Sequence, residues 1–190
     1  MARRLAGFLV LAAAVSITTS VAAENIPQPV GWVNDFANCI SDEYEQKLIV
    51  LISEVEAKTS SEIAVVTVAS MAPYDEAGYA RLLFDRWKPG KKGKDNGVLL
   101  LLAIKERRWR IETGYGAEGI LTDGLSGEIG RNYMVPYFKK GKYAEGLYNG
   151  VLQVGRAIGG EDVSSHRRRE SDFEIKNIGS IQDVKSAIEY

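Results

Sequence analysis

One stretch of the sequence, residues 95–123, constrains the fold more than any other. Residues 98–104 are almost all apolar, which is typical of a strand that is buried on both faces. Residues 108–113 alternate charged with apolar side chains, as in a strand with only one face on the core. Residues 105–107 can turn the chain, so the pattern predicts an antiparallel hairpin. Its open end gathers the polar, glycine-rich loops that precede the first strand and follow the second.

The segments before the hairpin predict a β-α-β unit. Residues 62–69 are rich in β-branched side chains and indicate a strand. Asp75 begins an amphipathic helix that continues to Trp87 and leads toward the first hairpin strand. Two strands joined by such a helix should be parallel, with a right-handed crossover.

Helical patterns flank this unit on both sides. Apolar side chains recur at helical spacing from Tyr44 to Val55, with Ser41 or Asp42 as the cap. Residues 124–158 indicate two more helices, broken around a proline and a glycine. Together the patterns predict an α/β domain.

The sequence divides into four parts. Residues 1–23 resemble a signal peptide, because Arg3 and Arg4 precede an apolar run and small residues precede a cut before Glu24. We therefore expect an exported protein, periplasmic or secreted. The run is short for a membrane span and no later one is long enough, so we expect no transmembrane anchor in the mature chain. The other parts are an extended leader (24–30), the α/β domain (31–158) and a polar tail (159–190) with a short helix at 181–188.

Charge and the rare residue types argue against several classes of function. Removing Arg3 and Arg4 leaves 22 of the 24 Lys and Arg residues against 25 Asp and Glu, a mature net charge of about −3. This charge is too mild to indicate a nucleic-acid partner. Cys39 is the only cysteine, which excludes an internal disulfide. His166, the only histidine, lies in the tail, so we expect neither a histidine-dependent triad nor a zinc site.

Five segments of the sequence resemble the TPM domain family. This family includes the thylakoid-lumen acid phosphatase-like proteins and many exported bacterial proteins. The hairpin with its Gly-Tyr-Gly loop is the most specific part of the resemblance, which covers roughly residues 31–158. The five segments are residues 33–35, 62–68, 95–100, 110–116 and 121–123.

The resemblance implies a three-layer α/β/α sandwich around a small mixed sheet, which agrees with the predicted β-α-β unit and hairpin. Some members of the family bind Ca2+ or another divalent cation in loops at the sheet edge, and some show weak acid phosphatase activity. Others take part in photosystem repair or bind partners at a membrane. In many members a transmembrane helix and a glycine-rich tail follow the domain. This sequence has neither feature, so we do not expect a membrane-tethered role.

A divalent-cation site, for Ca2+ in the first place, is predicted at the open end of the hairpin. Asp95, Asn96 and Asp123 supply oxygens there, and the glycine-rich loop can turn its carbonyls toward an ion. Structural roles explain the same residues equally well, because Asp-Asn and Asn-Gly favour turns and Asp123 stands where a helix N-cap belongs. Further candidate ligands are Asp35, Glu62 and Glu118.

The predicted topology divides the acidic residues between two sheet edges. Glu62 begins its strand and falls on the Asp95 side. Asp75 and Glu76 follow the same strand, so they lie at its carboxyl end, and Asp35 should join them. Ligands of α/β sheets usually bind at the carboxyl ends of the strands, which favours this second group for the metal. The sequence alone does not choose between the two edges.

Three functional hypotheses follow. The first is an exported interaction or assembly module that binds a divalent cation and an unknown protein partner, with Tyr115 as a partner contact, a lid or a core residue. The second is a low-turnover, metal-assisted acid phosphatase, for which the lysines of residues 88–94 can attract phosphate. These lysines fit an exposed connecting loop as well. The third is a structural adaptor that uses neither metal nor substrate.

Overall fold

The computed structural model describes residues 26–160 of the chain. The expected signal peptide, the first two residues of the leader and the tail from residue 161 onward lie outside the described residues, and so does the helix expected at residues 181–188. Within residues 26–160, no helix is both long and apolar enough to cross a bilayer.

Strands and helices alternate along the first part of this region, and helices make up its second part. The strands are β1 (Val33–Asp35), β2 (Glu62–Val68), β3 (Gly97–Ala103) and β4 (Arg108–Thr113). A π-helical segment, Gly130–Met134, joins the third helix to the fourth. The α-helices are α1 (Asp42–Thr59), α2 (Glu76–Trp87), α3 (Asp123–Ile129), α4 (Val135–Phe138) and α5 (Tyr143–Ile158).

The four strands form one mixed sheet in the order β1-β2-β3-β4. β1, β2 and β3 are parallel and β4 is antiparallel to β3, which confirms the predicted β-α-β unit and hairpin. Glu62 pairs with Gly97, and Val98 pairs with Thr113. The starts of β2 and β3 and the end of β4 therefore share one edge, which we call the amino edge. The opposite edge, where β3 ends at Ala103, is the carboxyl edge.

The sequence pattern does not predict β1. Val33 and Asp35 nevertheless pair with Val65 and Thr67 of β2. Asn34 between them is fully buried, and its side-chain amide donates to the Val65 carbonyl at 3.3 Å. A strand of three residues is too short to show a period. β1 is held in place by its pairing with β2 and by the hydrogen bond of Asn34, and neither can be predicted from alternation.

Helices cover both faces of the sheet, and this confirms the three-layer α/β/α sandwich. Alternate side chains of β3 from Val98 to Leu102 share one core with α1 and α5, whereas those from Leu99 to Ala103 share a second core with α2. None of these side chains is more than 2 % exposed. β3 is a continuous apolar run, without alternation, because both of its faces are buried.

The chain after the hairpin is helical, as predicted, but its details differ. Thr122, not Asp123, is the N-cap of α3, and its hydroxyl accepts from the Leu125 amide at 3.3 Å. The π-helical segment holds the Trp109 ring against Gly130, where an added Cβ would lie 1.9 Å from that ring. The aromatic side chain of β4 thus anchors the last helices to the sheet.

Candidate functional site

The two polar loops of the hairpin meet at the amino edge, as predicted. The Gly116 amide donates to the Asp95 carbonyl at 3.0 Å, and the Gly114 amide donates to the Gly97 carbonyl at 2.9 Å. A Cβ on Gly114 would lie 2.2 Å from the Asp95 carbonyl oxygen, and one on Gly116 would lie 1.9 Å from that of Lys94. Glycine is therefore required for the loops to approach so closely.

Asn96 and Glu62, two of the predicted metal ligands, make structural hydrogen bonds at this edge. Asn96 Oδ1 accepts from the Lys91 amide at 2.9 Å, and its Nδ2 donates to the Ser60 carbonyl at 2.9 Å. Glu62 Oε1 accepts from Lys91 Nζ at 2.7 Å, and Oε2 accepts from the Gly90 amide at 2.8 Å. The Lys91 ammonium, helped by the Gly90 amide, lowers the pKa of Glu62.

As a set, the amino-edge residues do not fit a resident cation. Ca2+ takes six to eight oxygen ligands, but N–H donors already occupy both oxygens of Glu62 and the side-chain oxygen of Asn96. The Lys91 ammonium would also repel an ion beside Glu62. Asp95 and Glu118 are exposed on the two contacting loops. Among residues 26–160, no three His, Cys, Asp or Glu side chains are grouped so as to hold a metal ion.

Asp35 lies at the carboxyl edge, as the topology predicts, and holds the turn from β1 into α1. Its carboxylate accepts from the amides of Cys39 at 3.1 Å and Ile40 at 2.8 Å, and from the Thr67 hydroxyl. Burial, followed by the charge of Asp35, raises the pKa of the Cys39 thiol to about 11. The thiol is therefore protonated at neutral pH and is a poor nucleophile.

Asp75 is also on the carboxyl side of the sheet and also has a structural role. It is the N-cap of α2, and its Oδ1 accepts from the Gly78 amide at 2.7 Å. The next residue, Glu76, contacts Arg108 at 3.6 Å, and Arg108 pairs with Ala103 at the end of β3. The predicted division of the acidic residues between two edges is thereby confirmed.

Asp123 joins neither group of acidic residues. Its Oδ1 accepts from Arg110 Nη2 at 3.2 Å, and Arg110 pairs with Leu101 in the middle of β3. The structure thus brings Asp123 to the outer side of β4 and does not place it with Asp95 and Asn96.

A cleft of about 270 Å3 lies between β4 and α3, and we call it the arginine cleft. Arg107, Arg108, Arg110, Asp123 and Ser126 are among its lining residues. Ser126 is only 5 % exposed, and its hydroxyl has no hydrogen-bond partner in the described part of the chain. An unpaired buried hydroxyl costs free energy.

A larger cavity, of about 580 Å3, opens at the amino edge where α1 and α5 both end, and we call it the amino-edge groove. Its lining includes the apolar side chains of Val55 and Leu152 and the basic residues Lys58, Lys94 and Arg156. Lys58 and Arg156 lie in the last turns of their helices, where positive charge complements the helix dipole. The volume is within the range of ligand-binding clefts.

The loop that follows β4 forms one wall of the amino-edge groove. Gly116 and Ile120 line the groove, and Ile120 is 48 % exposed. Tyr115, next to Gly116, is 84 % exposed and thus not part of the core, whereas its role as a partner contact stays a prediction. Exposed apolar side chains beside a cavity are typical of interaction surfaces.

The lysines of residues 88–94 differ in their contacts, and only Lys91 is paired with carboxylates among the contacts described. Lys91 Nζ is bonded to Glu56 and Glu62, and Lys94 Nζ donates to the Ser60 hydroxyl at 3.0 Å. Local sequence patterns predict neither the amino-edge groove nor the arginine cleft, because each is built from segments far apart in the chain. The basic last turns of α1 and α5 are the sequence signal that points to the groove.

Both the sequence and the fold are similar to those of known proteins. Residues 33–157 match the family model of the TPM domain. The N-terminal domain of a protein from P. gingivalis is 37 % identical, with a TM-score of 0.64 over 68 % of this chain and 82 % of that one. A protein from the psychrophilic bacterium Bizionia argentinensis is 26 % identical, with a TM-score of 0.56 over 64 % of this chain and 82 % of that one.

A third structure, the N-terminal domain of a protein from Corynebacterium glutamicum, shares the fold. It is 20 % identical, with a TM-score of 0.54 over 77 % of this chain and 90 % of that one. No curated protein matches the sequence.

Proposed function

The chain belongs to the TPM domain family, and we propose from this premise that it acts as an exported interaction or assembly module whose binding surface is the amino-edge groove. The observation that carries the proposal is the groove itself, with an apolar lining, three basic residues and the exposed side chains of Tyr115 and Ile120 on the adjoining loop. Such a surface suits an apolar segment of a partner protein that also carries acidic side chains.

The residues available for covalent chemistry also favour binding over catalysis. Residues 26–160 contain no histidine, and the Cys39 thiol has a pKa of about 11. A thiolate nucleophile paired with an imidazole base is therefore absent from the described part of the chain. Binding of a partner protein in the groove, in contrast, requires only complementary shape and charge.

Site-specific photo-crosslinking tests the proposal. A benzophenone amino acid is placed at Ile120 or Tyr115 in the full chain, and at Lys105 on the opposite edge as the matched control. We expect a discrete adduct with one protein from the groove positions, not from the control, and unchanged by EDTA. Equal adducts from all three positions, or none from the groove, would contradict the proposal.

Export is proposed from the signal-like residues 1–23. The mass of the protein recovered from cells that produce the full chain tests it directly. We expect a mature chain that begins at Glu24 and is found outside the cytoplasm. An intact chain that stays in the cytoplasm would overturn this part of the proposal.

Calcium binding is a second proposal, narrowed to the carboxylates of Asp95 and Glu118. It is supported by their exposure on the two contacting loops and does not involve Glu62 or Asn96. With two carboxylates and no enclosed cage, the site should bind Ca2+ weakly, with a Kd of roughly 0.1–1 mM. Titrating Ca2+ into the EDTA-treated protein should shift the amide signals of these loops and spare that of Glu62. Unchanged spectra at about 10 mM Ca2+ would exclude it.

A low-turnover acid phosphatase is the competing function, and the arginine cleft is the observation that favours it. Arg108 contacts Glu76, and Arg110 contacts Glu112 and Asp123, but each guanidinium has further N–H groups that can donate to phosphate oxygens. A change of rotamer would bring the unpaired Ser126 hydroxyl into contact as well. We expect any hydrolysis of an aryl phosphate to fall about tenfold or more in Ser126→Ala and Arg108→Gln, and to persist in the exposed-surface control Lys139→Gln. Equal activity in all three variants would exclude the arginine cleft as the site of hydrolysis.

A further inference from the structure

The described part of the chain ends at the amino-edge groove. Gly159 lines the groove, and the chain continues beyond Gly160 for another 30 residues, 161–190. Twenty of these, 161–180, precede the apolar group at 181–188. A connection of this length can return to its own starting point, and closing such a loop costs little more than closing a shorter one.

The sequence of this segment complements the groove in both polarity and charge. Ile181, Val184 and Ile188 follow the spacing i, i+3 and i+7, which is the pattern of anchors in peptides that bind grooves. Residues 170–190 follow the three arginines 167–169 and carry five side-chain carboxylates against two lysines, whereas residues 181–188 themselves carry one of each. The carboxylates are those of Glu170, Asp172, Glu174, Asp183 and Glu189, and the lysines are Lys176 and Lys185.

The groove presents the opposite charge around an apolar lining. Lys58, Lys94 and Arg156 are all basic. The apolar lining includes the exposed Ile120 and the partly buried Ile158 as well as the buried Val55 and Leu152. A segment held at this site by its own chain experiences an effective concentration of roughly millimolar, so even weak complementarity favours occupation.

We propose that residues 181–188 of this same chain dock in the amino-edge groove and compete there with the external partner. The inference rests on the proposed function, because it takes the groove as the partner surface. It adds an intramolecular occupant, so that partner binding requires release of the segment. Ile181, Val184 and Ile188 contact the apolar lining, and the acidic side chains of residues 170–190 lie toward the basic residues.

Disulfide trapping in the full chain tests the docking. In a Cys39→Ala background, Ile120→Cys is combined with Val184→Cys, and the control combines Lys105→Cys with Val184→Cys. Effective concentrations are measured in a glutathione redox buffer, and monomer is separated from dimer by non-reducing electrophoresis. We expect an intramolecular disulfide at the groove with at least about tenfold higher effective concentration than in the control.

Two results would overturn the inference. Equal effective concentrations for both pairs would show that residues 181–188 have no preferred site. A disulfide-linked dimer at Ile120 would assign the groove to a second copy of the chain.

A second measurement guards against loss of docking through the Val184→Cys change itself. The double variant Val184→Asp, Ile188→Asp should shift the amide signals of Gly116, Gly155 and Gly159 in the otherwise unchanged full chain. Identical spectra would contradict the proposal.

The photo-crosslinking experiment separates this inference from the proposed function. A partner adduct at Ile120 without the intramolecular disulfide would leave the function standing and remove the docked segment. The intramolecular disulfide without a partner adduct would support the docked segment and contradict the proposed function.

Discussion

Lys91 determines the chemistry of the amino edge through a few short contacts. Its ammonium group bonds to Glu56 and Glu62, and its backbone amide holds the Asn96 side chain. A group of oxygens that resembles a metal site in the sequence thereby becomes a network of hydrogen bonds and ion pairs in the fold. Residue types alone do not give a site its function, because the hydrogen bonds that an oxygen already accepts determine whether it can also bind a metal ion.

The Glu62–Lys91 pair predicts a pH-dependent contribution to stability. Lys91 lowers the pKa of Glu62 below 4.5, so the stabilisation is present above the unfolded pKa and is lost as pH falls through the folded value. Glu62→Gln should lower Tm at about pH 7, and this loss should become smaller as the pH falls toward about 3. Thermal melts of the variant and of the exposed-site control Glu118→Gln check this. An equal loss at both pH values would show that charge is not involved.

The hydroxyl group of Tyr148 can be removed without loss of stability. Its ring packs edge-on against that of Tyr44, with 6.4 Å between the ring centroids. Its buried hydroxyl has no hydrogen-bond partner within residues 26–160. Burial, with the charge of Glu54 second, raises its pKa to about 12. Tyr148→Phe should therefore be neutral or stabilising by up to about 1 kcal/mol in urea unfolding. Tyr148→Ala, which also removes the ring, should cost about 3–5 kcal/mol. A clear loss in the phenylalanine variant would reveal a missing partner.

At the scale of elements, the hairpin and its loops set the shape of the amino edge. Gly116 lies against the Lys94 carbonyl, whereas nothing lies within 4 Å of a Cβ added to Gly119. Gly116→Ala should therefore cost about 1–3 kcal/mol, because the loops must move apart. Gly119→Ala in the same loop is the matched control and should be close to neutral. Similar Cm values for the two variants in urea would contradict the close approach.

The elements that the sequence predicts correctly are those with a strong period or a distinctive composition. α2 and β4 show a period, whereas β2 and β3 are runs of apolar or β-branched residues, and their predicted limits differ from the observed ones by at most one residue. β1 is too short for a period and depends on pairing with β2. The π-helical segment depends on the Trp109 ring against Gly130, a contact between residues 21 positions apart that no local pattern records.

The edges of the site are predictable, whereas its contacts are not. Strand direction alone places Asp35 and Asp75 opposite Glu62 and Asp95. The hydrogen bonds of Asn96 and the ion pair of Asp123 with Arg110 depend on where long side chains reach in the folded chain. Sequence patterns do not record these contacts. They place most candidate ligands at the correct edge of the sheet, but they do not show which oxygens already accept hydrogen bonds.

At the scale of the whole molecule, the sandwich leaves a groove where α1 and α5 end together. α1 leads directly into β2, so its last turn lies at the amino edge, and Gly159 at the end of α5 lines the same cavity. The fold thus collects basic helix ends, an apolar lining and the exposed hairpin loop on one side. These features together favour the amino-edge groove as a binding surface.

The most direct test of the central claim is the yield of photo-crosslinked partner from Ile120 in the full chain. The groove should give a discrete adduct where Lys105 gives none, and the yield should rise when Val184→Asp, Ile188→Asp removes the competing segment. Equal yields at the two positions would contradict the claim that the amino-edge groove is the functional surface.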